Sequence, residues 1–138
     1  MRVTETMTSE FDLESLLRHM EPKHVKGEYV FCSIDESDFD LVGTPLLVFR
    51  EAEGVTLVLL REIAELNRLE FEKIWGLITL QVHSDLSAVG FLAEITHHLA
   101  QADISVNIVS AYYHDHLFVR LSKVDKAIEV LKSLSEKY

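Results

Sequence analysis

Residues 90–107 read GFLAEITHHLAQADISVN, and this stretch decides the fold. Its apolar side chains recur at helical spacing, which predicts an amphipathic helix over residues 88–102 with Gly90 in its first turn. The stripe consists of Leu92, Ile95, Leu99 and Ala102. β-branched residues follow at once, so a strand is expected over residues 105–112.

The segment before this helix is a strand that ends in a polar turn. Residues 77–83 alternate apolar side chains and are followed by Ser84-Asp85-Leu86-Ser87. A strand, a Ser/Asp turn and a helix that opens on Gly90 together present backbone N–H groups without intrahelical acceptors. Such a place suits a small anionic group such as a carboxylate.

Charge and composition exclude several classes of partner. The 138 residues include 23 acidic and 13 basic side chains, for a net charge of −10. A phosphate backbone or an anionic membrane surface selects for basic faces, so neither nucleic acid nor a membrane is expected as a partner. With 48% apolar residues, the chain is expected to be one compact domain or two small ones that share a core.

The sequence is typical of a cytoplasmic protein. A single cysteine, Cys32, excludes an intrachain disulfide and fits a reducing compartment. No apolar run approaches the ~18 residues of a membrane span. The first residues lack the apolar core of a secretory signal, which makes the cytoplasm the expected location.

The order of elements predicts an α+β fold. Residues 1–10 are polar and are expected to be flexible, and a helix is expected to start at Asp12 as its N-cap and to end before Pro22. Further elements are predicted as strands 29–34, 46–50, 56–60, 74–83 and 116–121, a short helix 61–67 and a last helix from Ser122 with Asp125 in a capping box. These form two unequal repeats, residues 11–74 and 75–138, of the ferredoxin-like βαββαβ arrangement, with an antiparallel sheet and helices on one face.

Several stretches of this sequence resemble ACT domains. The stretch from Gly90 to Asn107 is similar to the ligand-binding segment of that family, above all to the regulatory region of aspartate kinases. The chain also resembles small stand-alone proteins with two ACT-like repeats. That resemblance rests on GEYVFC at 27–32, FREAEGVTLVL at 49–59 and AYYHDH at 111–116.

The resemblance implies a module that binds a free amino acid or a related small carboxylate and does no chemistry, without a cofactor. In that family the ligand lies between a strand-to-helix loop of one module and the start of a strand in a neighbouring module. Carried over to this chain, the implied ligand contacts are Ser84, Asp85, Leu86, Ser87, Val89, Gly90, Phe91, Leu92, Ser105, Val106 and Asn107.

Physical chemistry supports this transfer. Backbone N–H groups of residues 88–91 are expected to face an α-carboxylate, aided by a helix dipole worth ~0.3–1 kcal/mol. Gly90 has no Cβ, so a ligand can approach its backbone. Asp85 and the amide oxygen of Asn107 are expected to accept hydrogen bonds from an ammonium group. The lysine-sensing kinases have Asp at the position of Asn107, so the uncharged acceptor here favours a ligand other than lysine.

Other chemistries have weaker support in the sequence. His114 and His116 share one side of a predicted hairpin, but no third ligand has metal-site spacing. Cys32 is expected to be a buried structural thiol rather than a nucleophile. The acidic stretch 35–40 occupies the strand-to-helix position of the first repeat and is a candidate border of a second site.

The prediction is therefore a regulatory amino-acid sensor that forms a homodimer through strand edges or helix faces. Two alternatives stay open. One is a protein–protein interaction module without a ligand, and the other is a small enzyme or metal-binding protein that uses the His-rich hairpin.

Overall fold

The computed structural model describes residues 9–41, 43–82 and 88–138, and it confirms the α+β class. The strands form an antiparallel sheet in the order β2-β3-β1-β4-β6-β5. The elements, in chain order, are α1 (Ser9–His19), β1 (Pro22–Ile34), a 3-10 helix (Glu36–Leu41), β2 (Leu47–Arg50), β3 (Val55–Leu60), α2 (Arg61–Leu66), β4 (Trp75–Leu80), α3 (Phe91–Gln101), β5 (Val106–Ser110), β6 (Asp115–Arg120), a 3-10 turn (Leu121–Lys123) and α4 (Val124–Glu136). No helix in these described ranges is long and apolar enough to cross a membrane.

The chain folds into two compact units, one of which consists of two separate stretches of sequence. Unit 1 combines residues 1–26 with residues 76–138, and unit 2 consists of residues 27–75. The N-terminal helix α1 therefore belongs to the same unit as α3 and α4, and it contacts both of them.

Unit 1 has a core in which α1, α3 and α4 cover one face of β4 and β6. Leu16, Leu17 and Met20 come from α1 and the turn after it, and they are almost fully buried. The strands contribute Ile78, Leu80, Leu117 and Val119, and the other helices contribute Phe91, Ile95, Leu99, Val124, Ala127, Leu131 and Leu134. The apolar side chains that recur at helical spacing on the helices thus pack against those that alternate on the strands, and together they form one apolar layer.

The ends of α1 and α4 are joined by hydrogen bonds. The Oγ of Ser135 donates to the carbonyl oxygen of Arg18 at 2.8 Å. The Nε of Arg18 donates to the carbonyl oxygen of Tyr138, also at 2.8 Å. These bonds give donors to main-chain oxygens at the C-terminal ends of α1 and α4, where the helices themselves supply none.

Unit 2 is built on β1, β2 and β3. Cys32 of β1 lies opposite Leu57 of β3, and Val48 of β2 lies opposite the same residue on the other side. Val30, Cys32, Val55, Leu57, Leu59 and Ala64 form its core. The predicted strands 46–50 and 56–60 are confirmed as the β2–β3 hairpin, and the predicted short helix 61–67 is confirmed as α2, with Asn67 as its C-cap.

Several predicted element boundaries are wrong. The first helix begins at Ser9, so Asp12 lies inside α1 and is not its N-cap. The acidic stretch 35–40, for which no helix was predicted, lies mostly in a 3-10 helix over Glu36–Leu41. Strand β1 starts at Pro22 rather than at Tyr29. Exposed residues such as Lys23, His24 and Lys26 hide the extended structure there, because they do not alternate with apolar ones.

The start of the last helix also differs from the prediction. A 3-10 turn over Leu121–Lys123 precedes α4, whose N-cap is Lys123 without a side-chain cap hydrogen bond. The predicted capping box of Ser122 and Asp125 is therefore wrong. The sequence predicts an apolar stripe of Val124, Ala127, Ile128, Leu131 and Leu134 on this helix; four of these residues are buried, and Ile128 is half-buried against the same core.

A close approach between β4 and α4 generates a stability prediction. A Cβ on Gly76 would overlap Cγ2 of Val124, a buried β-branched side chain. We expect Gly76→Ala to lower the free energy of unfolding by about 1–3 kcal/mol through overpacking, measured by urea denaturation. Gly43→Ala is the matched control, because a Cβ at that position would have no atom of the described residues within 4 Å, apart from its chain neighbours.

The double variant Gly76→Ala/Val124→Ala separates a steric clash from other effects of the alanine. If the clash is the cause, the double variant loses less free energy of unfolding than the sum of the losses in the two single variants. Strict additivity would contradict the contact between the two residues.

Candidate functional site

The predicted ligand loop leads into α3 through a glycine in a left-handed conformation. Gly90 has φ 90° and ψ −15° and is the N-cap of α3, with no side-chain cap hydrogen bond. Its carbonyl oxygen accepts the N–H of Glu94 at 3.0 Å, so the helix proper begins at Phe91. Only a residue without a Cβ adopts this conformation at little cost.

The predicted helix start at residue 88 is wrong. The candidate anion-binding amides therefore lie further along the chain than predicted. The first-turn N–H groups without an intrahelical acceptor belong to Phe91, Leu92 and Ala93, rather than to residues 88–91. The apolar residues before Gly90 look helical in sequence, but Val89 is 73% exposed and outside the helix.

The first turn of α3 is anchored in the core of unit 1. Phe91 is only 2% exposed, and Leu92 packs against the same core. On the other side of the turn, a Cβ built on Gly90 would lie 3.5 Å from Cδ2 of Leu13 in α1. Leu13 therefore borders the candidate site, which sequence reasoning missed although its helical spacing placed it on the buried face of α1.

The polar turn of the predicted site cannot be placed. Ser84, Asp85, Leu86 and Ser87 lie outside the described residues, and their ligand contacts stay predictions.

The second part of the predicted site lies at the opposite end of α3. Ser105 and Asn107 are exposed and Val106 is half-buried, at the start of β5. They follow the C-terminus of α3, whereas Gly90 precedes its N-terminus. An 11-residue helix spans about 16 Å at 1.5 Å per residue. The structure of one chain therefore does not bring Gly90 and Asn107 together.

The corresponding connection in the first repeat is acidic. It contains the 3-10 helix at 36–41 in place of an α-helix, beside an open concavity of ≈ 400 Å³. The lining includes Asp35, Glu36, Glu51 and Glu53. One of these carboxylates, that of Glu36, pairs with Nε of Arg50 at 3.1 Å. Four acidic side chains oppose the entry of a ligand carboxylate, so this connection is the less suitable of the two for an amino acid.

Both imidazoles of the His-rich hairpin, those of His114 and His116, are half-buried. The rings of His114 and His116 lie 6.3 Å apart, and Nδ1 of His116 is 2.9 Å from Oγ1 of Thr79. Burial lowers the pKa of His116, the neighbouring His114 lowers it further, and Asp115 opposes the change. Within the described ranges, no three His, Cys, Asp or Glu side chains form a group that could hold a metal ion.

Cys32 is a buried thiol in β1, as predicted. Burial raises its pKa, because the thiolate would lose its hydration. A protonated thiol is a poor nucleophile, so this cysteine fits a packing role.

Family models identify the class of protein. An ACT domain model matches residues 8–75, and a second ACT domain model matches residues 71–133. The chain therefore belongs to the ACT domain family and contains two ACT domains. ACT domains are typically regulatory modules that bind small molecules.

Solved structures agree with this assignment. A Vibrio cholerae protein of unknown function, described as a possible transport protein, is 41% identical, with a TM-score of 0.82 over 93% of this chain and 99% of the other. The C-terminal regulatory domain of a Porphyromonas gingivalis aspartate kinase has a TM-score of 0.55 at 15% identity, over 85% and 97% of the two chains.

A whole enzyme shows the same fold in part of its length. Clostridium acetobutylicum aspartate kinase, an allosteric enzyme, has a TM-score of 0.61 at 12% identity. The match covers 86% of this chain but 34% of the kinase, so it supports the fold alone. No curated protein sequence matches this chain significantly.

The lowered pKa of His116 predicts a pH dependence of stability. Because the folded-state pKa lies below the ordinary value of 6.5, the unfolded chain binds this proton more readily. The stabilisation is complete above pH 6.5 and is lost as the pH falls below it. We expect His116→Gln to weaken the loss of stability between pH 7 and pH 5, measured by urea denaturation at each pH.

The matched control is His24→Gln, because His24 is exposed on β1. That variant should keep the parent's pH dependence. A His116→Gln variant with an unchanged slope would contradict the role of this imidazole.

Proposed function

We propose that this tandem ACT protein is a non-catalytic sensor that binds a free amino acid, or a related small carboxylate, at the N-terminus of α3. The observation that carries the proposal is the left-handed Gly90, which opens α3 without a side-chain cap. An α-carboxylate would accept hydrogen bonds from the amides of the first turn, and the helix dipole adds ~0.3–1 kcal/mol.

The polar side chains of the predicted site would select the ligand. Ser84, Asp85 and Ser87 are proposed to surround the ammonium group, with Asp85 as its carboxylate partner. Leu86, Val89 and Leu92 would contact the apolar part of the ligand. The uncharged amide of Asn107 favours an amino acid without a cationic side chain, because it cannot neutralise a second positive charge.

A complete site would require two copies of the chain. Gly90 and Asn107 lie at opposite ends of α3, so the strand start at 105–107 would come from a second copy. Strand β5 is last in the strand order, and its outer edge is therefore available for pairing. We propose a homodimer in which β5 of one copy approaches the ligand loop of the other.

Binding at such a site would give a regulatory response. A ligand held between two copies stabilises the dimer and the loop together, and by linkage the dimer favours the ligand. We propose the cytoplasm as the place of this response.

An interaction module without a ligand is the second candidate. Tyr112 and Tyr113 are exposed at the turn between β5 and β6, with ring centroids 4.9 Å apart. Exposed tyrosines are enriched at protein interfaces. A stable complex with a metabolic enzyme, without any response to amino acids, would favour this alternative.

Thermal unfolding in the presence of each common amino acid tests the sensor. A ligand at a hundred times its Kd adds about 2.7 kcal/mol to the free energy of unfolding. We expect Gly90→Val to abolish the shift in Tm, because a β-branched side chain disfavours φ 90° and covers the first-turn amides.

Gly43→Val is the control for this experiment, because it adds the same side chain at an open position. It should respond to the ligand as the parent does. A Gly90→Val protein that folds and keeps the full ligand response would place the binding site elsewhere.

Mixed dimers test whether two copies share the site. Gly90→Val damages the loop, and Asn107→Leu damages the strand start; each variant alone should bind no ligand. After the two variants are refolded together, half of the dimers are mixed, and each holds one intact site. Calorimetric titration should then recover about a quarter of the parent's binding capacity. No recovery would mean that each chain carries its whole site.

A further inference from the structure

Unit 2 contains an open concavity of ≈ 800 Å³ that includes none of the residues discussed for the ACT ligand. Its size lies in the range of small-molecule sites. The lining comes from β1, from the segment after α2 and from the first residue of β4: Phe31, Ser33, Leu69, Glu70, Phe71, Glu72, Lys73 and Trp75.

The walls of this concavity are aromatic. The rings of Phe31 and Trp75 are 5.8 Å apart with planes at 67°, an edge-to-face pair. Both residues are only half-buried, as are Leu69 and Phe71. Aromatic faces carry negative partial charge, so they attract organic cations as well as apolar groups.

The rim of the concavity is acidic. Glu70 and Glu72 are exposed, and neither makes a salt bridge or a side-chain hydrogen bond with the residues that the structure describes. Lys73 offsets one of these two negative charges. The lining thus keeps a net charge of −1 over an aromatic floor, in a chain whose net charge is −10.

We propose that this concavity binds a small organic ammonium compound with an apolar or aromatic body. The carboxylates of Glu70 and Glu72 take the ammonium group, and the rings of Phe31, Phe71 and Trp75 take the body. An anionic ligand is disfavoured by the same carboxylates. This site is separate from the proposed amino-acid site at α3, and the proposal does not depend on binding there.

Trp75 makes the proposal directly measurable, because it is the only tryptophan of the chain. We expect 2-phenylethylammonium to produce a saturable change in tryptophan emission of the full-length protein. Added salt weakens this binding, since it screens the exposed charges. The matched probe is 3-phenylpropionate, which has a similar ring and the opposite charge, and it should bind at least about tenfold more weakly.

The double variant Glu70→Gln/Glu72→Gln should raise the Kd for the ammonium probe about tenfold or more. Glu62→Gln/Glu129→Gln changes the net charge equally at two exposed positions outside the concavity, and it should bind as the parent does. The Gly90→Val variant should also keep this emission response, which distinguishes failure here from failure of the amino-acid site.

Three results would overturn the proposal. Equal binding of the two probes would show apolar adsorption without charge recognition. Unchanged affinity in the Glu70→Gln/Glu72→Gln variant would remove the carboxylates from the site. Tryptophan emission that changes with protein concentration alone would show that a second copy of the chain fills the concavity.

Discussion

The buried stripe of α3 is the constraint on which the candidate site depends. Phe91, Ile95 and Leu99 are each at most 2% exposed, and burial of side chains of this size stabilises a fold by about 1.5–3 kcal/mol each. Because Phe91 is also the first helical residue, the first turn cannot shift without exposing it. The position of the first-turn amides is thus held by hydrophobic packing, and Gly90 supplies the left-handed turn that lets the chain enter the helix there.

Hydrophobic periodicity predicted most of the fold. The stripes of α3 and α4 and the hairpin over β2 and β3 were legible because their apolar residues repeat at 3.6 or 2 residues. Boundaries failed where the periodicity gives no signal. Ala88 and Val89 look helical, yet the backbone of Gly90 excludes them from α3. The polar first half of β1 was missed, since pairing by backbone hydrogen bonds needs no apolar pattern. The division into repeats at 11–74 and 75–138 stays a prediction.

The candidate site could be predicted only in part, for a geometric reason. The sequence predicts the helix that separates Gly90 from Asn107, but it does not reveal that Leu13 of α1 lies beside Gly90. The concavity beside Trp75 was not foreseen either. Phe31 and Trp75 are distant in sequence, and each one alone is typical of a core residue. Only the folded chain shows that both rings stay half-exposed beside Glu70 and Glu72.

The position of α1 in unit 1 has a consequence for biosynthesis. This helix is translated before its partners α3 and α4, and the whole of unit 2 is translated in between. Nascent chains would therefore carry Leu16, Leu17 and Met20 uncovered until α3 and α4 have been synthesised, a state that favours chaperone binding or aggregation. Unit 2 is continuous in sequence and can collapse during this time. We therefore expect unit 2 to fold before unit 1, although unit 1 contains the earlier residues.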